Sequence, residues 1–234
     1  VHPGANLKCT LQLVGMTAGL KSIVGELRTM DGNESLVLRA TASVQQPPIA
    51  YLFTGQGSAQ VNMGMELYAA SSVAKSVWDE AEQFLQHTYG FSILSIVRSN
   101  PKTLTVTFND SPSGEAMKRR YLGLGLLKKK KNHGSSSSAS PTSTEITSPR
   151  TSAELASKVS AEELAQYPNS YTFLSTEGLL YATQFQQPAI LLQETAAFVD
   201  LRSRGVVQST AKLAGHSLGE YCTLAACLKN VQVA

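Results

Sequence analysis

Cysteine is scarce in this chain: 234 residues carry only Cys9, Cys222 and Cys227, with no CxxC spacing among them. An odd, sparse set excludes a disulfide framework and a zinc site built on paired cysteines, and it fits a reducing, cytoplasmic setting. The default place for such a free thiol is a small, buried core position. Long apolar runs are missing too. None reaches the roughly 18 residues that a membrane helix needs, and no basic-then-apolar signal opens the sequence. Strong net charge is absent, with 20 Lys and Arg against 17 Asp and Glu, a formal +3. With 42% hydrophobic residues, that is the balance of an ordinary globular protein. No metal cluster, dinucleotide fingerprint or nucleic-acid module is present, so the segment is expected to hold no cofactor and no metal. The chain opens on Val1, and Val231 to Ala234 have the texture of mid-element residues. An excerpt from a longer polypeptide is the expectation.

What is present falls into three zones. Residues 1–47 read as β structure: Glu26–Met30 and Ser35–Ala42 flank Asp31-Gly32-Asn33, and an Asp-Gly step predicts a tight hairpin with positive φ at its central positions. Leu36, Leu38, Ala40 and Ala42 alternate with Val37, Arg39 and Thr41, which gives one mostly apolar face, too small to fold alone. After Pro47-Pro48, Ile49–Phe53 is a short buried-type strand that runs into Thr54-Gly55-Gln56-Gly57-Ser58. Ser71 or Ser72 is placed to cap a helix carrying Val73, Val77, Trp78, Ala81, Phe84 and Leu85, which Gly90 stops. Ile93, Leu94, Ile96 and Val97 predict a second, short helix that ends at Asn100-Pro101. From about 110 to 165 the composition turns to a lysine run, Lys128 to Lys131, and a Ser/Thr/Pro tract. Such a stretch buries too little apolar surface to offset its ordering entropy, which predicts a disordered surface insertion. Order is expected to return at Tyr171. A helix is predicted from Pro188, placed in its first turn, through Ile190, Leu191, Glu194, Ala197, Phe198 and Leu201 to Gly205.

The chemistry concentrates near the end. Lys212–Ala214 reads as a strand and Thr223–Leu228 as an Ala-rich helix, with Gly215-His216-Ser217-Leu218-Gly219 between them. G-x-S-x-G between strand and helix is the pattern of a nucleophile elbow: the glycines clear a turn too sharp for side chains, and the serine hydroxyl is pushed out above the sheet. Ser217 then stands at a helix N-terminus, where free N–H groups favour developing negative charge. The N–H of Leu218 is available to an oxyanion, and the implied chemistry is acyl transfer through a serine ester. Gly55 and Gly57 let a second backbone approach the substrate closely, with the N–H of Gln56 as a second oxyanion donor. Cys222 and Cys227, on the helix after the elbow, are read as packing residues because no base is visible for a thiolate.

Thr54-Gly55-Gln56-Gly57-Ser58, Gln187-Pro188-Ala189 and Gly215-His216-Ser217-Leu218-Gly219-Glu220-Tyr221, in this order, resemble the malonyl-CoA:acyl carrier protein transacylases. Phe53 to Met65, Tyr89 to Leu94 and Thr183 to Ala189 look like the malonyl/palmitoyl transferase domain of fungal-type fatty acid synthase β subunits in particular. Residues 1–47 look like the end of the hot-dog dehydratase domain that precedes it. The resemblance implies an α/β acyltransferase core with a short parallel sheet over residues 48–234, behind a β-rich tail. It implies that Ser217 takes malonyl from coenzyme A, passes it to the phosphopantetheine thiol of acyl carrier protein, and returns palmitoyl to coenzyme A. It makes Gln56 and Leu218 oxyanion donors and Gln187 a residue that helps hold the catalytic histidine. Partners would be the carrier protein, the α subunit and sister domains of a large synthase, with FMN and NADPH bound in other domains.

The sequence departs from the family in one respect. The family's histidine base and its carboxylate-pairing arginine lie downstream of the serine, past residue 234, and none of His2, His87, His133 and His216 takes the base's place. Residues 1–234 alone are therefore expected to be inactive. Three other readings stand beside the first. An α/β-hydrolase-type thioesterase shares the elbow but uses a Ser-Asp-His triad, and the Gly55–Ser58 turn speaks against it. A non-catalytic scaffold segment is the second. The third is a related synthase that makes a starter chain for a secondary metabolite.

Overall fold

A computed structural model describes residues 4–16, 22–129 and 159–227. His2, His133, Lys130, Lys131 and the serine tract lie outside them.

The first zone is an antiparallel sheet of β1 (Lys8–Met16), β2 (Ser22–Met30) and β3 (Leu36–Gln45), in that spatial order. Leu27 faces Ala40 and Glu26 faces Thr41 across the β2–β3 pair. The hairpin is where it was expected, but its turn is built differently. The positive φ falls on Glu34, at 59°, and not on Gly32. Asp31 organises the loop instead: its Oδ1 accepts from the N–H groups of Asn33 and Ser35, both at 2.9 Å. A side-chain acceptor at the turn start replaces the backbone strain of a two-residue turn. Leu36, Leu38, Leu11 and Leu13 are all exposed, so the apolar alternation of β3 finds no cover among the described residues.

The second zone begins with β4 (Ala50–Phe53), then α1 (Met65–Ala70), α2 (Ser72–Tyr89) and α3 (Ile93–Ser99). Ser71 caps α2 by accepting from the Ala74 N–H, and Gly90 ends the helix at φ 76°. Asn100 ends α3 in the left-handed region at φ 43°. β5 (Thr103–Thr107) pairs antiparallel with β6 (Ser170–Leu174), and between them lie α4 (Pro112–Gly123) and the single turn α5 (Ala161–Leu164).

The ordered part of the expected insertion is thus larger than its composition suggested. Ser111 caps α4 through the Gly114 N–H at 3.1 Å, and Pro112 supplies its first turn. Lys118 is buried, with its Nζ donating to Asn169 Oδ1 at 2.7 Å and to the Tyr167 carbonyl at 3.1 Å. Lys129, from the basic run, pairs with Glu163 at 3.2 Å. Both flanks of the tract are therefore tied together, and residues 130–158 lie outside the description.

After a 3-10 turn at Leu179–Tyr181 come α6 (Thr183–Ser203), β7 (Lys212–Gly215) and α7 (Leu218–Cys227). Pro188 is not in the first turn of α6, as predicted, but inside it. The N–H groups of Phe185 and Gln186 already bond the Ala182 carbonyl, so the helix starts before the proline. A proline there forfeits one ladder bond. The core gathers Trp78, Ile93, Ile96, Val97, Leu179, Phe185 and Ile190, all essentially sealed from solvent. An edge-to-face chain of rings, Phe91–Phe185–Phe173–Tyr121–Phe108, extends it, with centroids 4.9 to 6.0 Å apart, the geometry in which ring quadrupoles attract. β4 and β7 pair in parallel, with Phe53 opposite Gly215, and the Tyr51 and Phe53 rings rest on Phe198 of α6 at 5.5 and 5.7 Å.

Candidate active site

The parallel β4–β7 pair decides what meets what. Its last rung joins Phe53 to Gly215, so the Thr54–Ser58 loop and the Ser217 turn leave the same end of the sheet side by side.

At the turn, Ser217 takes φ 56°, the left-handed region that costs an L-residue about 1–2 kcal/mol. Bonds from Gly219 N to His216 O at 2.9 Å and from Glu220 N to Ser217 O at 3.0 Å start the helix at once. The two glycines are required by contact. A Cβ on Gly215 would stand 2.0 Å from the Gly219 carbonyl oxygen, and one on Gly219 would stand 2.5 Å from that of Phe53. Rigid backbone opposes both, so neither neighbour can give way. Ser217 is exposed and Leu218 buried. The first turn of a helix leaves its N–H groups outside the helix's own ladder, and that of Leu218 is among them.

The opposing loop packs backbone to backbone. A Cβ on Gly55 would be 3.3 Å from the His216 carbonyl, and Gly57 adopts φ 109°. The Gln56 side chain is held at both ends: its Nε2 donates to Thr183 Oγ1 at 3.2 Å, and its Oε1 accepts from Gln187 Nε2 at 2.9 Å. The structure thus brings Gln56 and Gln187 into direct contact, 131 positions apart in sequence, and sets Ser217 and Leu218 on the neighbouring turn. His216 is exposed, and His87 lies in the last turn of α2. Among the described residues no group of three or more His, Cys, Asp or Glu side chains is arranged to hold a metal, and no helix is long and apolar enough to cross a membrane.

Sequence reasoning missed Thr54, Thr183 and Glu194 as parts of this arrangement. Glu194 Oε1 accepts from the Thr54 N–H at 2.7 Å and from the Thr54 hydroxyl. The only signal was a carboxylate, Glu194, between the apolar Leu191 and Phe198 of α6. The thiols also divide in a way the composition did not suggest. Cys222 is buried as expected, but Cys9 and Cys227 are exposed, Cys9 because its strand lies at the edge of an uncovered sheet. Burial pushes the Cys222 thiol up to about 12, and the nearby Glu194 carboxylate acts in the same direction.

A cavity of about 680 Å³ opens beside the turn, lined largely by Phe84, Tyr89, Phe91, Phe173, Phe185 and Leu191. Gln187 and Leu218 belong both to its wall and to the arrangement above. Its size falls within the ~300–1,000 Å³ of small-molecule sites, and its lining is as apolar as theirs.

A strand, a left-handed serine and a helix set against a glycine-rich loop form an α/β segment with the local geometry of a nucleophile elbow. Residues 50–232 match the acyl transferase domain family, and the chain belongs to it: this is acyltransferase sequence. It is 41% identical over 225 residues to a fatty acid synthase subunit beta of Aspergillus oryzae, covering 96% of this chain and 10% of that one. The fatty acid synthase beta subunit aflB of Emericella nidulans is 41% identical over 226 residues, covering 97% and 10%. The fatty acid synthase subunit beta of Saccharomyces cerevisiae is 40% identical over 225 residues, covering 96% and 10%. The chain therefore spans about a tenth of the length of the curated relatives it matches. A solved acyl transferase domain, that of ZmaA, is 18% identical with a TM-score of 0.39, covering 85% of this chain and 32% of its own.

Proposed function

We propose that Ser217 is the acyl-accepting nucleophile of a malonyl/palmitoyl transferase within a fatty acid synthase. Its Oγ attacks the thioester carbonyl of an acyl-coenzyme A. Charge on the carbonyl oxygen is met by the N–H groups of Leu218 and Gln56, donors fixed before the reaction starts. The intermediate collapses by breaking the C–S bond. Coenzyme A leaves as thiol and takes up the proton given by Ser217, carried by a histidine base outside the described residues. The phosphopantetheine thiol of the carrier protein then attacks the acyl-serine and restores the hydroxyl. Gln187, with its Nε2 committed to Gln56, has its Oε1 left to orient that base.

One observation carries the reading: the left-handed Ser217 at the end of β7, held against the Gly55–Gly57 loop by the Phe53–Gly215 rung. The apolar cavity that shares Gln187 and Leu218 with the site supports a long acyl chain as the second cargo. The similarity to fatty acid synthase β subunits supports carrier protein, α subunit and sister flavin and nicotinamide domains as partners.

The full-length protein, given malonyl-CoA and purified acyl carrier protein, should build malonyl on the carrier's phosphopantetheine, read as a mass shift of the carrier. Free malonate with no loaded carrier would contradict transfer and favour a thioesterase; no turnover of either kind would leave a scaffold.

A further inference from the structure

Helix α6 grips the glycine loop at two places. Gln187 holds the side chain of Gln56. Seven residues on, two helical turns along the same face, Glu194 holds the loop's entry. One oxygen, Oε1, accepts both the Thr54 backbone N–H and the Thr54 hydroxyl. That hydroxyl lies 2.8 Å from Ser58 Oγ, and Ser58 donates to the Gly55 carbonyl at 3.1 Å. A single carboxylate is thus the outer anchor for the whole turn that carries Gly55, Gln56 and Gly57.

The placement is costly unless it is used. Oε2 of Glu194 is sealed from solvent and has no nitrogen or oxygen partner among the described residues, the weakly donating Cys222 thiol being the group set against the carboxylate. A half-buried carboxylate with one oxygen so poorly served loses more to desolvation than an apolar side chain would in the same place. Ile190, Ala196 and Phe198 fill neighbouring positions of α6 as plain core residues. Packing alone does not call for an acid at 194; two acceptor contacts to the loop do. Cys222, on the helix that follows the serine, lies next to the same carboxylate, so the anchor stands between the two halves of the site.

We propose that Glu194 is a positioning residue for the transfer reaction: through Thr54 it fixes the backbone of the Gly55-Gln56-Gly57 turn so that the Gln56 N–H is aimed at the oxyanion before substrate arrives. This rests on the acyl-transfer reading above. The role is that of an acceptor and not of a charge, since what the loop needs is one fixed oxygen that holds both the Thr54 N–H and the Thr54 hydroxyl.

The test uses full-length protein and malonyl transfer from malonyl-CoA to carrier protein. Glu194→Leu removes the acceptor, Glu194→Gln keeps one, and Thr54→Val removes only the hydroxyl contact. Glu194→Leu should lower kcat about 10-fold or more with KM for malonyl-CoA within about 2-fold, a loss confined to the transition state. Glu194→Gln should restore kcat to within about 3-fold of wild type. Wild-type kcat in Glu194→Leu overturns the proposal. If Glu194→Leu does not fold, Thr54→Val decides: a kcat lowered at unchanged KM supports the anchor, and an unchanged kcat overturns it. Failure of the wild-type protein itself to transfer malonyl overturns the acyl-transfer reading instead, and the anchor's catalytic role falls with it.

Discussion

The Cα of Gly219 lies so close to Phe53 that a Cβ built on it would stand 2.5 Å from the Phe53 carbonyl oxygen. That contact joins the first turn of α7 to the end of β4, and through it the serine turn to the glycine loop. Backbone meets backbone, so no rotamer change relieves the clash. Gly219→Ala should cost about 1–3 kcal/mol of stability, the range for forced overpacking, and should also slow Ser217 acylation as the helix is pushed off the strand. Thermal unfolding and acylation rate, measured on the same sample, check both effects.

Gln187 tests the side-chain half of the grip on the loop. Its bond to Gln56 is exposed, and a hydrogen bond contributes at most about 0.5–1.5 kcal/mol net. Gln187→Ala should shift the unfolding midpoint little. It should lower the acylation rate far more than that energy suggests, because the same side chain is assigned to orient the base. A rate loss no larger than the stability loss would reduce Gln187 to a structural contact.

Ser71 gives a control away from the chemistry. It caps α2 through the Ala74 N–H at 3.2 Å, and Ser71→Ala should cost about 1 kcal/mol, as cap removals do. kcat should stay at the wild-type value, so denaturant midpoint and turnover separate cleanly.

The thiols predict a pH effect of definite sign. Cys222 is raised to about 12 from an ordinary 9.0, chiefly by burial. Below pH 9 both folded and unfolded thiols are protonated and the group is neutral to stability. Between about 9 and 12 the unfolded chain releases the proton while the folded chain keeps it, so this group lowers stability as pH rises. Cys222→Ala should flatten that part of the stability curve. At neutral pH a maleimide should label Cys9 and Cys227, which are exposed, and spare Cys222.

Some of this was legible in the sequence because local rules govern it. Gly215, Ser217 and Gly219 are spaced as the turn's own contacts demand, and Ser71, Gly90 and Asn100 mark helix ends that the structure repeats. The hairpin was readable from Asp31-Gly32, but not the way Asp31 builds its turn. Long-range pairing was not readable. β5 and β6 are short and mostly polar on one face, and the span between them hid their partnership. Helix α4 carried its signals in Ser111 and Pro112, but the lysines and serines that follow outweighed them. Pro188 pointed to a helix start because proline is favoured there, but the N–H groups of Phe185 and Gln186 already bond the Ala182 carbonyl and begin the helix earlier. Glu194 was visible only as an acid on an apolar face; its partner Thr54 lies 140 positions away.

The central claim is that Ser217 carries the acyl group. Full-length protein and its Ser217→Ala variant, each incubated with malonyl-CoA and separately with palmitoyl-CoA, should be quenched and read by intact mass and by the labelled peptide. The account predicts a single acyl adduct from each donor in the wild-type protein, mapped to the peptide containing Ser217 and lost in Ser217→Ala. An adduct that persists in Ser217→Ala, or its absence from the wild-type protein with both donors, would contradict it.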